Sequence, residues 1–163
     1  MEALTIWQPW AWAIGAGLKL VENRSWLPSW KRLKEGDDLA IHAGAQAPSR
    51  EDYHSMRLTA RSLGLEVPSI NGNEFSGAFG RGRIVAVATF AGIARARGDL
   101  AERQRPWWVG PYGWLLTNVR QLNLGTSPMV LGQQGLWPLT PGLEQRVRGQ
   151  LAGLEGQLWR KTA

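Results

Sequence analysis

The chain contains no cysteine and only two histidines, His42 and His54. The first absence excludes disulfide staples, cysteine zinc sites and thiol nucleophiles. The second excludes a histidine-rich metal site. No tight acidic cluster marks an all-carboxylate magnesium site, so no metal is expected. No apolar run approaches the ~20 residues needed to cross a bilayer. The opening Met1-Glu2-Ala3-Leu4-Thr5-Ile6 has neither the basic nor the apolar stretch of a secretory leader. The expectation is a soluble, cytoplasmic protein with no membrane partner. A dinucleotide fingerprint and a P-loop are both missing, so no organic cofactor is expected. Repeats, low-complexity tracts and linkers are missing too, and 163 residues fit one domain spanning 1–163 with its own hydrophobic core.

What the chain has in excess is positive charge and tryptophan. Its net charge is +6 and its pI about 10.5. That balance favours polyanionic partners, nucleic acid first and an anionic membrane surface second, with a basic surface kept for solubility as the bland alternative. Ten tryptophans are unusual because a buried indole N–H needs an acceptor. Several are expected in the core; others could line a pocket where a flat ring stacks.

Periodicity predicts the elements. Ala3 to Trp7 alternates as a strand. Gln8-Pro9 opens a short helix, with Trp10, Ala13, Ile14 and Gly17 on one face and Gly17 as its stop; the side that Trp12 takes is left open. Lys19 to Trp26 is extended, and a basic loop with Lys31, Arg32 and Lys34 follows. Leu39 to Ala43 is a strand. Pro48 to Leu63 is a helix capped by Ser49, its stripe of Tyr53, Met56, Ala60 and Leu63 read as core packing. Gly64 to Gly82 is irregular. Arg83 to Ile93 is the strongest strand. Arg95 to Arg105 is a solvated loop or short helix, Trp107 to Gly113 an aromatic turn, and Trp114 to Leu122 a strand. A turn and strand lie within Pro128 to Leu139. A helix over about 142–160 presents Leu143, Val147, Leu151, Leu154 and Leu158. Strands not separated by regular helices argue against a doubly wound parallel sheet and for a small mixed barrel with helices packed on it.

Gly17-Leu18-Lys19-Leu20-Val21-Glu22-Asn23-Arg24 fits the pattern G-x-K-x-x-E-x-R, the signature of the ASCH family. Ile6-Trp7-Gln8-Pro9-Trp10 before it, Leu39-Ala40-Ile41-His42-Ala43, Gly110-Pro111-Tyr112-Gly113-Trp114 and Gly135-Leu136-Trp137 after it look like the rest of that family's pattern. The resemblance spans about 4–139. It implies an α+β fold: a PUA-like small mixed β-barrel of about five to six strands with helices packed around it, its core at about 3–139, and a cleft between the first helix and the barrel. It also implies a nucleic-acid role, often with RNA. Some members are amidohydrolases on acylated cytidine, and ribonuclease activity has been attributed to others. A family name alone does not choose among these.

The residue chemistry is read beside the resemblance. If 19–24 is extended, Glu22 and Arg24 share one face and Lys19 points to the other. Arg24 offers a planar fork for a phosphate or a base edge, Lys19 a point charge. Glu22 could orient Arg24, accept an amino proton or act as a base. The alternative is an ion pair at the surface, Glu22 with Arg24 or Lys19, worth ~0–1 kcal/mol. Gln8 stands at a helix start where free amides can hold an anion, and Trp26 closes the motif segment. His42 is either a hydrogen-bonded structural residue or a group facing the ligand. Trp108 and Tyr112, with Trp107, either stack bases or form a lid over a barrel end. Arg81, in Phe79-Gly80-Arg81-Gly82-Arg83, could track a phosphate backbone or belong to an exposed connection.

The leading expectation is a module that binds RNA or DNA, or a modified base, in a basic, aromatic cleft around the motif. On that reading Lys19→Ala and Arg24→Ala weaken binding without unfolding, and Trp108→Ala weakens single-strand binding more than duplex binding. A hydrolase on a modified nucleoside would use Lys19 and Glu22. The acyl-cytidine amidohydrolases carry a threonine three residues after the motif lysine; this chain has Glu22 there, which counts against that chemistry. A ribonuclease could draw on Lys19, His42 and Tyr112. A protein partner held by exposed tryptophan would be recognised by binding that persists in high salt.

Overall fold

Alternating side chains build the sheet from its centre. In β1 (Glu2–Ile6), Leu4 and Ile6 face the main core while Ala3 faces the opposite side. In β3 (Asp38–Ala43), Leu39, Ile41 and Ala43 face that core and Ala40 the opposite side. This is the two-residue period of a pleated strand covered on both faces. The two strands run parallel, with Thr5 opposite His42.

With β2 (Val21–Arg24), β4 (Arg83–Ala94), β5 (Tyr112–Gln121) and β6 (Leu136–Pro138), they form one mixed sheet in the order β2-β5-β4-β3-β1-β6. The remaining pairings are antiparallel. Register breaks at Ile41/His42, Val87/Thr89 and Phe90/Ile93 add local bend and twist, and the sheet curls into a half-barrel. The computed structural model describes residues 1–67 and 79–162, with side chains described to 154.

Three helices cover the sheet. The first, α1 (Trp10–Gly15), buries Ala11, Ala13 and Ile14 and stops where Gly17 takes φ +73°, as its sequence predicts. Trp12 meets Phe79 edge-on, with ring centroids 5.8 Å apart. α2 (Arg50–Ser62) is capped by Ser49, which accepts from the Asp52 amide at 2.9 Å; Met56 and Ala60 are its buried stripe. α3 (Pro141–Thr162) lays Val147 and Leu151 on Ala3 and Ala40. Each buried aliphatic side chain in this layer contributes about 1.5–3 kcal/mol. The Leu158 side chain, and 68–78 of the expected irregular segment, lie outside the described residues.

Several boundaries differ from expectation. The extended segment 19–26 pairs only at Val21–Arg24. The stretch 95–105 forms two 3-10 turns, Arg97–Asp99 and Glu102–Trp107, and the second absorbs the start of the aromatic turn. Among the described residues no helix is long and apolar enough to cross a membrane, and no cluster of three or more His, Asp or Glu could hold a metal.

Candidate nucleic-acid interface

Lys19, Glu22 and Arg24 meet at one place, although strand alternation alone separates Lys19 from the other two. Lys19 precedes β2, so its side chain is free of the pleat and reaches back along the strand. Its ammonium donates to Glu22 Oε2 at 2.7 Å and to the Val21 carbonyl. Arg24 Nε lies 3.2 Å from Glu22 Oε1, an ion-pair distance without hydrogen-bond alignment. Arg24 Nη2 donates to the Thr5 carbonyl at 2.8 Å. The pairing is buried rather than superficial: Lys19 is 3% exposed and Glu22 7%. Two cations on one carboxylate offset the desolvation that either pair alone would suffer. The Thr5 contact joins β2, one edge of the sheet, to β1 near the other edge, past the point where β6 stops pairing at Leu4. The motif therefore clasps the curled sheet.

A second set of polar groups stands around a surface cleft. A cleft of about 910 Å3 is lined by His42, Ala45, Gly80 to Arg83, Leu124, Gly125 and Met129 to Gly132. Nucleotide-sized ligands occupy pockets of about 300–1,000 Å3. The resemblance implied a cleft between the first helix and the barrel. This one lies at the end of β3 and the start of β4, under the strap Met129–Gly132. The strap is tied down by an Arg83–Met129 bridge, by the Val130 amide on Gly82 O at 2.9 Å, and by His42 Nε2 on Val130 O at 3.0 Å.

Among the described residues, two buried polar atoms in this cleft have no hydrogen-bond partner: His42 Nδ1 and Arg83 Nε. Arg83 gives Nη1 to the Leu124 carbonyl. Arg81 makes one long contact with the Ala45 carbonyl, 3.4 Å. None of the described residues lining the cleft is a carboxylate. His42 is 1% exposed, and its burial holds the imidazole pKa below the ordinary value, partly opposed by the Val130 carbonyl. Trp7, 68% exposed, lies against Gly44 beside the cleft residue Ala45.

With this geometry in place, the known proteins can be compared. The ASCH domain model matches residues 4–123, well over half of the chain. This chain belongs to the ASCH domain family. The crystal structure of ASCH from Zymomonas mobilis superposes with a TM-score of 0.50 at 16% identity, covering 91% of this chain and 93% of that one. A tyrosine-to-phenylalanine variant of the same Zymomonas mobilis protein gives 0.50 at 14% identity, covering 91% and 96%. At such identities the likeness shows the fold alone, and that fold is PUA-like α+β. No curated protein sequence matches the chain.

The ASCH domain uses the other predicted residues as follows. Gln8 is buried; its amide donates to the Phe79 carbonyl and its oxygen accepts from the Trp12 amide at 2.9 Å. It thus ties α1 to the segment entering the cleft and has no free helix-start amide role. Trp26 packs edge-on against Trp114, centroids 4.8 Å apart. Trp108 lies over Gly113, where a Cβ would stand 2.8 Å from its ring, so it covers the barrel wall rather than projecting from it. Tyr112 pairs opposite Arg24 across β2 and β5 and receives Arg95 over its ring at 5.8 Å. Of the predicted residues, the cleft brings together His42 and Arg81 only.

Sequence reasoning missed the strap Met129–Gly132 and the role of Asn23. Asn23 donates to the Trp107 carbonyl at 2.9 Å and accepts from the Val109 amide at 3.0 Å. It holds the aromatic turn to β2. A polar residue at an unspecified position of the motif carries no local signal of that partner.

Proposed function

We propose that this ASCH domain binds single-stranded nucleic acid, RNA first, in the cleft of His42, Arg81 and Arg83. The observation that carries this reading is the coincidence, among the described residues, of unpartnered polar atoms and two arginines without a carboxylate in one open cleft. Arginine forks hold phosphates bidentately. Exposed Trp7 beside the cleft offers a ring on which a base can stack, an interaction worth about 1–3 kcal/mol per base. Met129 and Leu131, both exposed, give the rim apolar contacts for bases or sugars. A modified nucleoside is the smaller ligand of the same chemistry.

Hydrolysis through Lys19 and Glu22 is the weaker reading. The Lys19 ammonium is already given to the Val21 carbonyl and Glu22, and neither side chain lines the cleft.

The test is retention of labelled single-stranded RNA, single-stranded DNA, duplex DNA and acetylated cytidine at two salt concentrations, read for products as well. Salt-sensitive retention without products, weakened about tenfold by Arg81→Ala, is the expected result; losing one phosphate contact lowers the salt slope by about 0.7 on a single strand. Retention unaffected by Arg81→Ala moves the site out of the cleft. A product that disappears in a folded Lys19→Ala variant makes the domain an enzyme.

A further inference from the structure

His42 is the most buried ionisable group among the described residues of the cleft, and an imidazole is the side chain whose charge changes most readily in the physiological range. Its Nε2 faces the Val130 carbonyl at 3.0 Å. A carbonyl only accepts, so Nε2 carries the ring proton and Nδ1 is left with a lone pair. That Nδ1 has no partner among the described residues. What covers it is Gly132: a Cβ there would stand 2.6 Å from Nδ1 and 2.5 Å from Cε1. Gly132 is exposed on its other side, so a small displacement of this residue opens Nδ1 to the cleft.

The charges around the ring are one-sided. Arg81 and Arg83 stand on the β4 side. From β1, Thr5 presents its hydroxyl near Gly132, and its carbonyl holds Arg24, itself paired with Glu22. From β6, Trp137 meets the ring edge-on at 5.6 Å. The strap brings no charge. In the free protein this favours the neutral ring. An anion placed between the arginines reverses that balance.

We propose that His42 is a proton-linked anion contact. When a phosphate of a bound strand enters the cleft, the imidazole takes a proton from solvent and its new Nδ1–H donates to a phosphate oxygen beside Arg81 and Arg83. The proposal rests on the reading of the cleft given above. It adds that this site senses pH and that strand binding is coupled to uptake of one proton.

The sign follows from linkage. The ring pKa is low in the free protein and raised by the phosphate. Affinity therefore strengthens as pH falls from the bound pKa towards the free one, by at most about tenfold per pH unit for one proton. Arginine and phosphodiester do not titrate in that window, and uracil does not either.

The probe is oligouridylate, with binding followed by fluorescence anisotropy between pH 8 and 5.5 at constant ionic strength. Calorimetry in two buffers of different ionisation enthalpy counts the protons. The expected result is tighter binding at low pH with proton uptake, both lost in His42→Gln. The chain has only two histidines, so long-range nitrogen NMR of the parent, with His54→Gln for assignment, reads the ring directly. Nδ1 should be unprotonated when free and protonated when bound. Binding that Arg81→Ala weakens but pH leaves unchanged, or an Nδ1 that stays unprotonated in the complex, overturns the His42 role and leaves the cleft reading intact. Absence of binding, or binding indifferent to Arg81→Ala, removes both. Equal pH dependence in His42→Gln assigns the proton elsewhere and also overturns it.

Discussion

The Lys19–Glu22–Arg24 cluster and the His42–Arg83 cleft are both basic, both polar and joined through Thr5, yet they are built oppositely. In the first, the carboxylate is shared by two cations, each of which also donates to a backbone carbonyl; Arg24 Nε is held there by ion-pair contact without an aligned hydrogen bond. In the second, an imidazole nitrogen and a guanidinium N–H have no partner among the described residues. A polar group buried without a partner costs about 1–3 kcal/mol. A carboxylate that ties two cations together at one site, and the lack of any carboxylate among the described residues lining the other, separate a clasp from a receptor. The family signature marks the clasp.

The sharpest way to break this comparison is Glu22→Ala. It leaves two cations around a site with no carboxylate and should cost about 3–5 kcal/mol in urea unfolding, the range for breaking a buried pair. Lys19→Ala and Arg24→Ala should likewise lower stability, in place of the loss of binding alone expected from the sequence. A Glu22→Ala protein that unfolds like the parent but no longer retains RNA would return the motif to the ligand site.

Trp108→Ala comes next. The ring is half-buried over Gly113 and Val21, so its removal should cost about 2–3 kcal/mol, somewhat below the range for a fully buried tryptophan. Thermal unfolding measures it, and the ratio of single-strand to duplex affinity should not change. A changed ratio with an unchanged melting temperature would make Trp108 a stacking residue.

A smaller effect comes from pH. The folded-state pKa of His42 is depressed, so the unfolded chain binds the extra proton. Stability is full above the unfolded value of about 6.5 and falls below it, by no more than about 1.4 kcal/mol per pH unit for one group. Melting temperatures from pH 7.5 to 5.5 should show this fall in the parent and a flatter profile in His42→Gln. The smallest effect is expected at Trp30, 71% exposed beside Lys31. Trp30→Ala should move stability by less than about 0.5 kcal/mol and leave RNA retention as in the parent; a clear loss of retention would extend the interface beyond the cleft.

Much of the fold was legible because its signals are local. The Gly17 stop, the Ser49 cap and the alternation in β1 are written within a few residues of where they act. Boundaries moved where a partner decided them: β2 is shorter than its extended segment because only Val21–Arg24 faces β5.

The candidate site was less legible. Motif spacing named Lys19, Glu22 and Arg24 together, but it carried no information on exposure, which depends on what covers β2. Trp26 and Trp108 share their composition with stacking residues elsewhere and differ only in packing against Trp114 and Gly113.

By itself the sequence determined the ASCH membership, the α+β barrel, the basic charge and the lack of thiol chemistry, because each follows from residue type and short spacing. The tertiary structure alone decided that the motif closes the sheet while His42, Arg81, Arg83 and a strap whose Val130 lies 88 residues beyond His42 share a cleft. Hydrogen-bond valence is counted in space. Which polar groups are satisfied, and which remain open to a ligand, is settled only when distant segments meet.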